Sequence, residues 1–144
     1  MFSRILVAVD KMPSAEKVLA HSIDLSKKYG ARLIIAHIII NPPYGGTPSA
    51  ISLIMTSIYA GETEDEGNTI ISKAEKVAKA SGITYSSKLL RGAPADQILR
   101  IAEQEKADLI VVGNEGPFSG RRFLRRNISY DVVRRSKCPI LVIK

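Results

Sequence analysis

A glycine-containing loop between an apolar strand and an amphipathic helix is the part of this sequence best suited to chemistry. Leu109–Val112 are four consecutive apolar residues, which predict a buried parallel strand ending at Gly113. Asn127 then opens an amphipathic segment that continues through Ile128 and Ser129. A strand, a loop and a helix N-terminus in this order present backbone N–H groups and a positive dipole end to a phosphate. The pattern therefore predicts an anion site between Gly113 and the last helix.

Asp10 is the acidic residue best placed to work with this loop. It follows the apolar run Arg4–Val9, which predicts a central strand. In open α/β sheets, ligands bind beyond the carboxyl ends of the strands where the winding direction reverses. If the first and fourth strands are neighbours, Asp10 faces the phosphate loop and its carboxylate suits a ribose hydroxyl. The alternative is that Asp10 only orders the turn into the first helix, and the residues alone favour neither interpretation.

Arginines just before the last helix carry most of the net charge. The chain has a formal charge of +7, and six of those charges arise between Ser119 and Lys137, where seven basic residues accompany one acid. Cations are disfavoured at a helix N-terminus unless an anion lies among them, and guanidinium groups chelate phosphate oxygens. The segment therefore predicts either a polyphosphate site or a loop whose charges simply face water. The four arginines are Arg121, Arg122, Arg125 and Arg126.

The histidines and the cysteine show no pattern typical of a metal or nucleophilic site. His21 falls within a predicted helix and His37 within a predicted strand, with no metal-ligand spacing to one another or to Cys138. We interpret both histidines as structural or solvent-facing, and Cys138 as a small buried side chain. Asp10 is the only acid that the pattern places in the cleft, and one carboxylate without a partner does not make a hydrolase. The sequence therefore predicts no metal ligands and no catalytic residues.

Length and composition are those of one cytoplasmic α/β domain covering residues 1–144. A single cysteine excludes an internal disulfide framework and suits a reducing compartment. The longest apolar runs, such as Ile38–Ile40, are too short to span a bilayer, and the N-terminus lacks the features of a signal peptide. Apolar runs alternate with amphipathic segments, which predicts five parallel strands and four helices. The predicted strands are Arg4–Val9, Arg32–Ile40, Ile83–Leu90, Ala107–Gly113 and Pro139–Ile143.

Two helices have predicted buried faces that can be compared with the structure. The second helix, closed by Gly82, is expected to bury Ile70, Ala74, Val77 and Ser81. The last helix is expected to place Ile128, Val132 and Val133 on one side. The segment Asn41–Gly61 is interpreted as a loop and a short helix packed on the domain, with a lid or partner surface as the alternative.

The order of elements and three motifs resemble the universal stress protein family over essentially the whole chain. The motifs are an aspartate ending the first strand, a Cys138-Pro139-hydrophobic last strand, and glycines after the fourth strand. Nucleotide-binding members of the family carry Gly, two residues, Gly, nine residues, Gly and Ser/Thr. Gly113 and Gly116 match this pattern, whereas Arg126 and Asn127 stand in place of the third glycine and the Ser/Thr. The resemblance implies a doubly wound sheet of strand order 3-2-1-4-5 with helices on both faces.

The resemblance also implies a stress-response regulator or sensor that binds ATP, with or without Mg²⁺, and is at most a slow ATPase. Arg126 costs about 1–2 kcal/mol if left-handed geometry is required. It either supplies a charge-assisted phosphate contact or blocks the phosphate site. Asn127 is an excellent helix cap and has donors of its own. The implied nucleotide site comprises the adenosine contacts Ala8, Val9 and Asp10, the base contact Ile38, and Val112, Gly113, Gly116, Arg126, Asn127, Ile128 and Ser129 around the phosphates.

Partners follow from the same resemblance and from the charge. Family members commonly dimerise through the last strand, and Pro139–Ile143 is an apolar edge strand that calls for pairing, so a homodimer is predicted. The alternative function is a non-nucleotide interaction module whose Arg121–Arg126 patch binds an acidic protein or nucleic acid. Nucleic acid is disfavoured because only Phe118 and Phe123 lie among the arginines, which makes a thin stacking platform. No membrane partner is expected.

Overall fold

Five parallel strands form one sheet of order 3-2-1-4-5, as predicted. The computed structural model describes residues 1–11, 14–40, 62–114 and 128–144, and the predictions for Asn41–Gly61 and Arg121–Arg126 lie outside this part of the chain. Four of the strands are largely apolar, as expected for strands covered on both faces, whereas the strand Tyr85–Gly92 at one edge of the sheet contains serine, lysine and arginine and is only partly buried. The strands are β1 Arg4–Ala8, β2 Arg32–Ile40, β3 Tyr85–Gly92, β4 Leu109–Gly113 and β5 Ile140–Ile143.

β1 is the central strand, and the winding direction reverses at it. Ile5 pairs with Leu33 of β2 on one side and with Leu109 of β4 on the other. β3 continues the sheet beyond β2, and β5 continues it beyond β4. The chain therefore builds outward from β1 in one direction and then in the other, which creates a switch point between β1 and β4.

Four helices in the described residues cover the two faces of the sheet. The strand residues alternate between the faces: Val7 packs on the side of the first two helices, and Leu6 packs on the side of the last two. This alternation is what a period of two requires in a strand that is buried on both faces. The helices are α1 Ser14–Tyr29, α2 Glu64–Ala80, α3 Pro94–Gln104 and α4 Ile128–Arg135.

The start of α2 is fixed by a capping box. The Thr63 hydroxyl accepts a hydrogen bond from the Glu66 N–H at 3.2 Å, and the Glu66 carboxylate accepts one from the Thr63 N–H at 2.9 Å. Two backbone donors that the helix leaves without an internal partner are thereby satisfied. The residue just before this cap, Glu62, is consequently held in a defined place.

The buried face of α2 differs from the predicted one. Val77 is 45 % exposed, whereas the neighbouring Ala78 is fully buried. The helix lies very close to the sheet, because a Cβ on Gly67 would come within 2.9 Å of the Cδ1 atoms of Ile39 and Leu89. At that distance only small residues fit along most of the contact between α2 and the sheet, so the larger Val77 faces solvent. The observed face is Gly67, Ile71, Ala74 and Ala78.

The buried side of α4 is narrower than predicted. Val132 is fully buried, but Val133 is 52 % exposed. Adjacent residues of an α-helix project about 100° apart, so a helix that contacts the protein along one stripe buries only one of the two. The prediction for Val133 was therefore wrong. No helix within the described ranges is both long enough and apolar enough to cross a membrane.

Candidate functional site at the carboxyl ends of the strands

The structure brings the described residues of the predicted site to one edge of the sheet. The pairing of β1 with β4 ends at Val7 and Val111. The residues that follow are therefore neighbours at the carboxyl edge: Ala8 to Asp10 on one strand, and Val112 with Gly113 on the other. This is the arrangement that the sequence required if Asp10 was to face the loop after Gly113.

The predicted contacts line this edge from both faces. Val9 packs on the α1/α2 side, and its N–H donates to the Ala36 carbonyl at 2.8 Å. Ser129 is partly buried in the first turn of α4. Gly116, Arg126 and Asn127 lie outside the described residues, so their predicted roles stay predictions. The predicted residues that pack on the α3/α4 side are Ala8, Ile38, Val112 and Ile128.

Asp10 is a carboxylate whose charged form is disfavoured by its surroundings. Its Oδ1 accepts a hydrogen bond from the Lys11 N–H at 2.8 Å. Burial raises the pKa of Asp10 above its ordinary value; the Lys11 hydrogen bond and the charge of His37 act in the opposite direction, while the charge of Glu62 raises it further. A partly desolvated acid at a switch point is a candidate ligand contact, because such environments recur at functional sites.

The structure corrects the prediction that Asp10 is the only acid at this edge. Glu62, which precedes α2, places its carboxylate 2.6 Å from Nε2 of His37. His37 is 3 % exposed, and its Nδ1 lies 2.8 Å from the carbonyl oxygen of Val9. Strand alternation could have revealed the histidine, because Leu33 and two residues later Ile35 face the α1/α2 core. His37 is the next residue of β2 with the same orientation, so burial of its imidazole could have been expected, and a buried imidazole must have hydrogen-bond partners.

The remaining residues considered from sequence lie away from this edge. His21 is exposed, and its Nδ1 lies 2.8 Å from the Lys17 carbonyl within α1. Cys138 is a partly buried free cysteine whose Sγ lies 3.5 Å from the hydroxyl of Ser136. Among the residues that the structure describes, no group of three or more histidine, cysteine, aspartate or glutamate side chains could hold a metal ion.

The strand order and the site at its reversal point define a doubly wound α/β protein with a switch-point cleft. Comparison with known sequences makes this class specific. The model of the universal stress protein family matches residues 1–144, and the chain belongs to that family.

Individual universal stress proteins, both as sequences and as solved structures, are similar to this chain over nearly its whole length. A universal stress protein of Methanocaldococcus jannaschii is 28 % identical, and the alignment covers all of this chain and 83 % of the relative. A crystal structure of a universal stress protein in complex with cAMP is 28 % identical, with a TM-score of 0.69 and coverage of 99 % of this chain and 97 % of the other. The universal stress protein from Archaeoglobus fulgidus in complex with dAMP is 25 % identical, with a TM-score of 0.67 and coverage of 99 % and 98 %.

Proposed function

We propose that this protein binds an adenine nucleotide, ATP in the first place, at the carboxyl edge between β1 and β4. The observation that carries the proposal is the adjacency of those strands, which puts the partly desolvated Asp10 beside Gly113 at the reversal point of the sheet. Ligands of open α/β sheets bind in such crevices. Solved structures of two relatives with the same fold and at least 25 % identity are complexes with cAMP and dAMP, and both ligands are adenine nucleotides.

The proposal assigns each part of the edge to one part of the nucleotide. Asp10 accepts hydrogen bonds from ribose hydroxyls, and the backbone of Ile38 contacts the base. The loop that follows Gly113 and the N-terminus of α4, including Ser129, bind the phosphates through backbone N–H groups and the helix dipole. Mg²⁺ in this proposal is carried by the phosphates of ATP, as is usual for nucleotide-bound magnesium. The full set is Ala8, Val9, Asp10, Ile38, Val112, Gly113, Gly116, Arg126, Asn127, Ile128 and Ser129.

The role we propose is that of a cytoplasmic stress sensor or regulator and not of a fast enzyme. Two acid–base groups whose charges act on Asp10, His37 and Glu62, hydrogen-bond to each other, and His37 also contacts the Val9 carbonyl. A general base must be within reach of the proton that it removes from its substrate. These two side chains are instead engaged in holding the protein together, which supports binding rather than rapid hydrolysis.

Calorimetric titration of nucleotide-stripped protein with ATP and Mg²⁺ tests the proposal. We expect saturable one-to-one binding, with GTP at least about tenfold weaker, which corresponds to about 1.4 kcal/mol. At an ATP concentration about 100 times the Kd, binding stabilises the folded protein by about 2.7 kcal/mol, so the melting temperature should rise. AMP and cAMP titrated in parallel show which phosphate pattern the site prefers.

Two outcomes would contradict nucleotide binding at this edge. The first is the absence of heat and of any melting shift at millimolar ATP. The second is binding that ignores the base and falls steeply between about 50 mM and about 200 mM salt, as contacts to many phosphates of a nucleic acid do. The latter result would support the alternative interaction through Arg121–Arg126.

We propose further that two copies pair through β5. This strand lies at the end of the sheet order and pairs with β4, and edge strands in native proteins are covered or paired. Sedimentation velocity at micromolar concentration should show a species of twice the 15.7 kDa chain mass. A monomer throughout that range would overturn the dimer without affecting the nucleotide proposal.

A further inference from the structure

A buried histidine–glutamate pair lies beside the residue that precedes Asp10. The side chains of His37 and Glu62 are 3 % and 6 % exposed. Nδ1 of His37 lies 2.8 Å from the Val9 carbonyl oxygen, and Nε2 lies 2.6 Å from Oε1 of Glu62. One imidazole therefore bridges the end of β1 and the residue before the α2 cap, two places far apart in the chain.

The two contacts determine where the protons of this pair lie. A carbonyl oxygen can only accept, so Nδ1 of His37 donates to Val9. A neutral imidazole protonated on Nδ1 would turn a lone pair toward Glu62, and a carboxylate oxygen would repel it. The short contact at Nε2 therefore requires a second proton, carried by the imidazole or by the carboxyl group. The ring is held at both ends and cannot rotate without breaking a buried hydrogen bond.

The backbone at Val9 is held by two consecutive residues of β2. Its N–H donates to the carbonyl of Ala36 at 2.8 Å, which is an ordinary ladder bond. The described β1–β2 pairing ends at Ala8 and Ala36, so the Val9 carbonyl lies beyond the paired residues, and His37 supplies it with a side-chain donor in place of the next rung. Asp10 follows directly, so the direction in which its side chain leaves the strand depends on this bond.

Glu62 is itself a well-placed anchor. It precedes Thr63, whose capping box with Glu66 fixes the first turn of α2. That turn is pressed against the sheet at Gly67, where a Cβ would lie 2.9 Å from Ile39 and Leu89 side-chain atoms. The carboxylate that holds His37 is therefore positioned by a docked helix rather than by a freely moving side chain.

We infer that His37 is a positioning residue of the candidate site: it sets the Val9–Asp10 backbone through the Val9 carbonyl, and Glu62 keeps its ring in the required orientation. Its effect on ligand affinity rests on the proposed function, because Asp10 is the proposed ribose contact. The effect on the backbone does not rest on it, and can be observed without any ligand.

Two amide substitutions of His37 separate its two hydrogen bonds. The side-chain amide nitrogen of asparagine falls near the place of Nδ1, and that of glutamine near the place of Nε2. We therefore expect His37→Asn to keep the Val9 bond and bind ATP within about threefold of wild type. His37→Gln keeps a contact toward Glu62 but loses the Val9 bond, and we expect at least about tenfold weaker binding. Equal losses in the two variants would overturn the inference.

Glu62 variants give a second test that leaves the histidine in place. Glu62→Gln retains a hydrogen bond, since its amide N–H can donate to a neutral Nε2, and should bind ATP like wild type. Glu62→Ala releases the ring and should weaken binding several-fold. Unchanged affinity in Glu62→Ala would show that the ring needs no anchor and would overturn that part of the inference.

Backbone amide NMR shifts of Asp10 and Lys11 in the ligand-free protein provide a readout that a general loss of stability does not move. We expect these shifts to change in His37→Gln and to stay close to wild type in His37→Asn. Identical shifts in both variants would overturn the positioning role. If wild-type protein binds no adenine nucleotide, the proposed function fails, and the same amide shifts still decide whether His37 sets the Asp10 backbone.

Discussion

The two ends of the sheet each carry an aspartate, and the two residues are used differently. At the amino end, Asp108 accepts hydrogen bonds from the N–H groups of Ser3 at 2.8 Å and Arg4 at 3.1 Å. Its own N–H donates to the Arg4 carbonyl at 2.9 Å. At the carboxyl end, Asp10 accepts a hydrogen bond from its neighbour Lys11, and burial raises its pKa.

The difference separates a carboxylate that stabilises the fold from one that we propose as a ligand contact. Asp108 connects the start of β4 to the start of β1, so its negative charge is matched to donors already present in the folded protein. The surroundings of Asp10 disfavour its charged form, so the ionised carboxylate lowers stability, and the proposed ligand would supply the donors that it lacks. A substitution of Asp108 should therefore change stability and leave ATP affinity unchanged, whereas a substitution of Asp10 should weaken ATP binding without lowering stability.

Asp108→Ala should produce the largest effect, and it should be on stability. The substitution removes the acceptor for two backbone donors across a long sequence separation, so we expect the free energy of unfolding to fall by about 2 kcal/mol. The melting temperature should fall by roughly 4–8 °C. Urea denaturation measures the loss, and ATP affinity measured well below the melting temperature should be unchanged. The free energy of unfolding of Asp108→Asn, which retains one acceptor oxygen, should lie between those of wild type and Asp108→Ala.

Asp10→Asn should show the converse behaviour. We expect about tenfold weaker ATP binding, equivalent to about 1.4 kcal/mol, because the amide offers one acceptor oxygen and no charge to the ribose hydroxyls. Stability at neutral pH should be equal to wild type or higher, since a disfavoured buried charge is removed. A stability loss as large as that of Asp108→Ala would show that Asp10 orders the turn before α1 and would remove the contrast.

The smallest expected effect is a difference between wild type and Asp10→Asn in how the free energy of unfolding depends on pH. The pKa of Asp10 is raised in the folded state, so the folded protein binds this proton more tightly than the unfolded chain does. Its contribution to the free energy of unfolding is therefore greatest below the unfolded pKa and falls as pH rises through the folded pKa. Asp10→Asn should match wild type near about pH 3 and gain relative to it by about pH 7. Urea titrations at several pH values measure the difference.

Most of the sheet was predictable because four of its strands are largely apolar runs, whereas β3 has a mixed composition. Asp10 and Gly113 marked the ends of two strands, and the family resemblance supplied the strand order that makes those two strands neighbours. The partner of His37 was not predictable in the same way. Glu62 lies 25 positions along the chain, and which acid meets the histidine depends on where α2 docks. No local pattern encodes that distance.

Helix faces were predicted less well than strands for a related reason. Hydrophobic periodicity favours valine and isoleucine as contacts, yet α2 presses Gly67 and Ala78 onto the sheet and leaves Val77 45 % exposed. How closely a helix approaches is a property of the assembled layers, and it determines whether large or small residues form the contact. The sequence shows that α2 is amphipathic but not how near the sheet it lies.

The pairing of Ile5 with Leu109 also has a consequence for synthesis of the chain. β1 leaves the ribosome before the other strands and can pair with β2 after a further few dozen residues, but its other edge must wait about a hundred residues for β4. At roughly 5–20 residues per second this wait is on the order of 5–20 seconds. During that interval an apolar strand edge lacks its native neighbour and can recruit other chains. The candidate site, formed between β1 and β4, is therefore among the last parts of the molecule to exist.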